Sequence, residues 1–326
     1  MYKHVLKRLQ FWLTGFIFLL FTAGNITAQV IKNPLFNGFY AADPSVVQYN
    51  GKFYVYATID PWGGDELAVF ETADFITWQQ KHINWPTKQQ CTSATSKDSK
   101  VWAPSVVQKN GKFYMYVSVG SEVWAGVADN PLGPWKNIKP GNSPLISSGY
   151  IPGYHMIDAE CFIDDNGQAY LYWGSGMHWV NGKCFVVKLK PDMYSFDGNY
   201  EDITPPNYFE GPFMFKHNGK YYLMYSNGKA IDSTYNIRYS IGDSPTGPWT
   251  EAITGPIIKS SKDGKIVGPG HHAVFVYKGQ PYIMFHKIFP QAKDYVLRQL
   301  CLAPLDFDSN GNIEKVKYAD TITLKK

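Results

Sequence analysis

The chain has 326 residues, 44% hydrophobic and 16% aromatic, with 31 basic against 27 acidic side chains and a formal charge of +4. Three of the basic residues, Lys3, Lys7 and Arg8, fall among the first 28, which hold no acid, so the remainder carries only +1. A near-neutral body argues against the concentrated basic face of a nucleic-acid binder, and four cysteines without a Cys-x-x-Cys spacing argue against a zinc cluster or redox pair.

Residues 1–28 stand apart from everything after them. A basic start, an apolar stretch from Phe11 to Phe21 and a small-residue exit at Thr27 and Ala28 predict a secretory signal peptide. The apolar run is shorter than the ~20 residues of a membrane span, and no second candidate follows. The expectation is an exported chain, secreted or periplasmic, with no membrane span. Residues 29–326 then read as one domain, because no linker, low-complexity run or composition shift interrupts them.

Within that domain one phrase returns five times: DPSVVQYNGKFYVYAT from Asp43, APSVVQKNGKFYMYVS from Ala103, DAECFIDDNGQAYLYWG from Asp158, GPFMFKHNGKYYLMYS from Gly211 and HHAVFVYKGQPYIMFH from His271. The turn glycines Gly51, Gly111, Gly167, Gly219 and Gly279 are 60, 56, 52 and 60 residues apart, and a tyrosine follows each by three. Extended runs rich in Val, Phe and Tyr around Asn-Gly predict a β-hairpin. After each hairpin comes a further strand, a turn and the start of another strand, in residues 67–78, 124–135, 184–196, 237–249 and 297–308. About four antiparallel strands per repeat, five times over, predict an all-β, five-bladed β-propeller. Cys161, Cys184 and Cys301 fall in apolar strand patterns and read as small buried residues.

A residue needed only to build a blade would recur in all five, so function is sought where the repeats differ. The innermost strands of a propeller line its channel, and their first residues meet at one mouth. Those residues are Asp43, Ala103, Asp158, Glu210 (just ahead of Gly211) and His271. Three carboxylates and a histidine are expected to face one another there. An acid at a strand start also serves as ordinary turn chemistry, but three acids on one axis repel unless one is protonated or a cation intervenes. Two carboxylates in an aromatic-lined cleft are the equipment for breaking a glycosidic bond. Trp62, Trp85, Trp102, Trp124 and Trp173 lie in or beside the predicted rim and inner strands, with Trp102 and Trp173 as candidate sugar contacts.

The phrases Ala42-Asp43-Pro44-Ser45, Trp102-Ala103-Pro104, Ile157-Asp158-Ala159, Phe209-Glu210-Gly211-Pro212 and Gly268-Pro269-Gly270-His271-His272 together resemble the successive motifs of glycoside hydrolase family 43, in order and through the whole mature chain. The resemblance implies hydrolysis of arabinose- and xylose-containing glycans with inversion at the anomeric carbon. It implies Asp43 as general base, Glu210 as general acid, and Asp158 as the residue that orients Glu210 and raises its pKa. It implies that His271 lies beneath the sugar site, near a structural calcium ion on the channel axis. No cofactor is required for the chemistry. Arg298 matches an arginine that some relatives place at the sugar or beside the acids.

The resemblance points to an exo-acting α-L-arabinofuranosidase or related furanosidase or β-xylosidase, a monomer acting on an oligo- or polysaccharide. The loops 60–66, 85–100 and 175–181 are expected to close the pocket. An endo-arabinanase, a retaining fructan- or sucrose-type propeller hydrolase and a non-catalytic carbohydrate-binding propeller are the alternatives. Glu160-Cys161 imitates the acid pair of the retaining class, whose Trp-x-Asn-Asp-Pro and Arg-Asp-Pro phrases are missing. A lectin-like propeller would repeat its binding residues in every blade, whereas the acids here occupy three.

Overall fold

The computed structural model describes residues 29–293 and 296–325; the predicted leader, residues 1–28, lies outside the described residues. Each recurring phrase forms an antiparallel hairpin. In four of them the turn has two residues, both with positive φ: Asn50 and Gly51, Asn110 and Gly111, Asn218 and Gly219, Lys278 and Gly279. That left-handed pair matches the right-handed twist of the flanking strands.

Each hairpin begins one sheet of a five-bladed propeller. The first sheet comprises Ala41–Tyr49, Lys52–Ile59, Ala68–Thr72 and Gln79–Lys81, and the second Val101–Lys109, Lys112–Val119, Val123–Ala128 and Lys136–Asn137. The third comprises Glu160–Ile163, Ala169–Trp173, Phe185–Leu189 and Glu201–Asp202. The fourth has Glu210–His217, Lys220–Asn227, Asn236–Gly242 and Thr250–Glu251, with Ile258–Lys259 also paired to its third strand. First strands pack side by side around a central channel, and that of the fifth blade meets that of the first.

The fifth sheet falls short of the four strands expected. It holds Gly270–Tyr277, Gln280–Ile288 and Arg298–Pro304, and its outer edge is covered by the beginning of the described chain. The Leu35 amide donates to the Leu300 carbonyl at 2.8 Å. The Asn33 side chain donates to the Leu302 carbonyl at 2.8 Å and accepts from its amide at 2.9 Å. Beyond them Val30–Lys32 pairs with Thr321–Thr323. Backbone groups on an open edge need partners, and here the two ends of the described chain supply them to one another.

Each joint between blades has its own apolar cluster. Tyr56 meets Trp124 between blades one and two, Tyr116 meets Trp173 between two and three, and Tyr172 meets Leu223 between three and four. Met224 meets Ile283 at the next joint, and Met284 meets Val55 where the ring closes. Sheets bury both faces this way, which explains strands with nearly continuous buried runs such as residues 53–58. Three tyrosine hydroxyls stitch successive blades: Tyr56 to the Pro131 carbonyl, Tyr116 to Met193 and Tyr172 to Pro245, at 2.6, 2.7 and 2.7 Å. Each such bond contributes about 1 kcal/mol net. All four cysteines are buried free thiols.

Candidate active site

Five residues hold equivalent places at one mouth of the channel, and all have left-handed backbones: Asp43 (φ 52°), Ala103 (46°), Asp158 (59°), Gly211 (60°) and His271 (35°). In four of the sheets the strand register slips at this point, a bulge that turns the side chain toward the axis. A non-glycine residue in this conformation costs on the order of 1 kcal/mol or more and persists where its surroundings hold it. The preceding blade does the holding. Thr58 Oγ1 accepts from the Ala103 amide at 2.8 Å, Ser118 Oγ from Asp158 at 3.0 Å, and Ser226 Oγ from His271 at 2.9 Å. His286 Nδ1 lies 3.4 Å from the Asp43 amide. The third blade has Gly174 in this column, and there the Asp158 carboxylate itself accepts from the Gly211 amide at 3.2 Å.

Asp43 is buried among polar groups. Thr58 Oγ1 donates to its Oδ2 at 2.7 Å, and Arg298 Nη1 donates to Oδ1 at 3.0 Å. The Nδ1 atoms of His286 and His271 lie 3.2 and 3.4 Å from the same Oδ1. Burial alone would raise the pKa of Asp43, but the Arg298 guanidinium, with the two imidazoles, holds it far below the ordinary carboxylate range. Arg298 is itself fixed: Asp60 accepts from its Nη2 at 2.6 Å, its Nε at 3.0 Å and its backbone amide at 2.6 Å. The Trp62 ring lies 4.8 Å from the guanidinium carbon.

Glu210 has the opposite environment. Its partners are neutral hydroxyls, Ser175 on Oε2 at 2.8 Å and Tyr235 on Oε1 at 2.7 Å. Burial, reinforced by the charge of Asp43, pushes its pKa up to about 7 despite those two bonds. Asp158 is driven above the usual range too, by burial and then by Glu210 and Asp43. Asp158 and Glu210 therefore compete for a proton while Asp43 stays ionised. Separated carboxyl affinities of this kind equip one site with both an acid and a base. His271, whose Nδ1 is also 3.8 Å from Asp158, is lowered by burial to about 4 and is a neutral imidazole at pH 7.

These groups line a pocket of about 310 Å³ with walls from all five blades. Asp43, Trp102, Asp158, Glu210, His271 and Arg298, singled out in the sequence, all line it, together with Trp62, Ser175, Gly176, His178 and Trp179. Trp173 is not among them, which corrects its assignment as a sugar contact. It is fully buried and stacks on Phe196 at the joint with the second blade. Trp85 and Trp124 are likewise buried at the first joint. The 85–100 loop does not line the pocket; Ser93 donates to the buried Glu122.

The calcium expectation finds no donor set. Among the described residues no three His, Cys, Asp or Glu side chains converge as metal ligands. His271 offers one ring system, and the carboxylates it faces are engaged by Arg298, Thr58 and the Gly211 amide. Calcium takes six to eight oxygen ligands, which these side chains do not assemble.

The family model for Glycosyl hydrolases family 43 matches residues 31–313. The chain belongs to this family. It is 35% identical to the β-D-galactofuranosidase xynD of Aspergillus niger over 86% of this chain and 83% of that one. It is 29% identical to the arabinoxylan arabinofuranohydrolase of Bacillus subtilis over 87% of this chain and 64% of the relative. Among solved structures, a thermostable family-43 glycoside hydrolase superposes with a TM-score of 0.73 at 27% identity, over 89% of this chain and 96% of that one.

Several residues of this family 43 site were not singled out from sequence: Asp60, Ser175, Tyr235 and His286. For His286 a signal exists. The five repeated phrases end on Thr58, Ser118, Gly174, Ser226 and His286, the column that holds the next blade's left-handed residue. A histidine in a column of small residues marks the blade that abuts Asp43.

Proposed function

We propose that this glycoside hydrolase is an exo-acting, inverting furanosidase that removes terminal α-L-arabinofuranosyl or β-D-galactofuranosyl units from glycans. The observation that carries the reading is the separation of proton affinity between Asp43 and Glu210 inside one small pocket. Glu210, protonated, gives its proton to the departing glycosidic oxygen as the bond to the anomeric carbon breaks. Asp43, ionised, takes a proton from a water molecule whose oxygen bonds to that carbon from the opposite face, leaving a sugar of inverted configuration. Asp158, driven upward by burial and by Glu210 and Asp43, competes with Glu210 for the proton, and Arg298, anchored on Asp60, fixes the base.

Pocket size supports exo action. A volume near the lower end of the ligand-site range of about 300–1,000 Å³ is too small for a run of backbone sugars and suits a terminal unit with the near edge of the ring that carries it, with Trp62 and Trp102 among its walls. An endo-acting enzyme needs an open groove instead. The 35% identity to a β-D-galactofuranosidase favours a furanose over a pyranose. The same reading has the enzyme exported, on the basic start and apolar run of residues 1–28; no helix among the described residues is long and apolar enough to cross a membrane.

The test is a panel of aryl α-L-arabinofuranoside, β-D-galactofuranoside and β-D-xyloside, with Asp43→Asn as control. Release of a furanose that the variant fails to produce supports the proposal. Cleavage confined to the xyloside, or to internal linkages of a polymer, refutes it.

A further inference from the structure

Part of the pocket wall has no task in this mechanism. Tyr154–His155 forms a short ribbon with Ser175–Gly176, so His155 is fixed opposite the serine that donates to Glu210. The chain then makes a tight turn, Met177–Trp179, in which His178 and Trp179 have φ of 54° and 63°. A Cβ on Gly176 would lie 1.9 Å from the Val180 carbonyl oxygen, and one on Gly182 would lie 2.2 Å from that of Phe209. Only glycine permits either approach. The turn is thus clamped beside Ser175 at its start and against Phe209, the neighbour of Glu210, at its end. Trp179 stacks on the Phe209 ring with centroids 5.8 Å apart.

Both clamps flank the group that protonates the leaving oxygen, so the departing part of the glycan passes along this wall. The two glycine contacts pin the wall in place. His155 has its Nδ1 buried without a partner, and burial followed by proximity to His178 lowers its pKa. A neutral imidazole offers one donor and one acceptor, which suits sugar hydroxyls. The indole adds a flat apolar face. Among the described residues the pocket lining includes no lysine, and its arginine is engaged by Asp43 and Asp60, so nothing there selects an acidic sugar.

We propose that His155, His178 and Trp179 form the leaving-group subsite, which takes the neutral, hydroxylated sugar ring that carries the scissile bond. This rests on the glycosidase reading and on Glu210 as the acid. It makes the 176–182 turn a determinant of which backbone sugar the enzyme tolerates, independent of the terminal unit it removes.

The experiment compares two substrates with the same terminal sugar: a disaccharide and the corresponding glycosyl fluoride, whose leaving group is too small to occupy the subsite. Trp179→Ala is expected to lower kcat/KM on the disaccharide by about tenfold or more, and His178→Asn, which tolerates the left-handed backbone, by about three- to tenfold. For each variant the loss on the fluoride should be several-fold smaller than on the disaccharide, and an unchanged thermal midpoint shows that both fold. Equal losses on both substrates, or no loss on either, overturn the subsite. Wild-type enzyme inactive on the fluoride and the disaccharide overturns the glycosidase reading, and the subsite with it.

Discussion

Tyr235→Phe isolates one force on the proposed acid. The Tyr235 hydroxyl donates to Glu210 Oε1 at 2.7 Å, and the change to Phe deletes that donor while keeping the ring that lies parallel to His286. A hydrogen bond to a charged group is worth about 1.5–3 kcal/mol. A protonated carboxyl still accepts through its carbonyl oxygen, so roughly half of that value discriminates between the two protonation states. One pKa unit corresponds to 1.36 kcal/mol, which places the shift near one unit. Its direction is upward, because the lost bond favoured the ionised form. Glu210 acts while protonated, so the basic limb of kcat/KM, expected near pH 7 in the wild type, should move about one unit higher in the variant. The assay is the pH dependence of kcat/KM on a disaccharide with a natural linkage, whose leaving group needs protonation, between pH 4 and about 10. A basic limb that stays in place, or moves lower, refutes the assignment of Glu210 as the titrating acid.

Other substitutions probe the same electrostatics. Glu210→Gln should lose about 10²–10⁴ in kcat on a natural linkage and much less on an aryl glycoside, whose leaving group needs little protonation; equal losses would contradict its role. The same variant should be more stable to urea above pH 7 by up to roughly 3 kcal/mol. The sign follows from a folded pKa raised from 4.5 to about 7: this stability is present below the unfolded value and is lost as pH rises through the folded one. Arg298→Met removes the strongest counter-charge on Asp43, so burial prevails and an acid limb should enter the measurable range of the pH profile. Proton NMR of the first turnovers should show the inverted anomer; a retained one would exclude a water-activating role for Asp43.

The blades were legible because a hairpin is a local object. Asn-Gly pairs, alternating Val and Tyr and a recurring spacing of 52 to 60 residues write it directly into the sequence, and the first residue of each inner strand came with it. The fourth strand of the last blade was not legible, because its place is taken by Asn33 and Leu35, more than 260 residues away from Leu302 and Leu300 in sequence. Trp173 was misjudged for a different reason. Successive strand residues face opposite ways, and Tyr172 faces the fourth blade while Trp173 faces the second; nearness to the rim did not say which joint the indole would fill. Arg298 was visible only through family likeness, since its partner Asp60 lies 238 positions away. Two polar residues that meet across the ring leave no periodic trace in the chain.

Four of the five joints link blades that follow one another in sequence, but the fifth is held by packing and hydrogen bonds alone, with Val30–Lys32 against Thr321–Thr323 at its outer edge. That seam is also the one crossed by Arg298, His271 and His286 to reach Asp43. The proposed base therefore acquires its cationic and imidazole neighbours only when the circle is complete. Without the fifth blade Asp43 has no Arg298, His271 or His286 beside it. Competence for catalysis is in this way tied to finished synthesis, and an activity assay doubles as a report on whether the seam is shut.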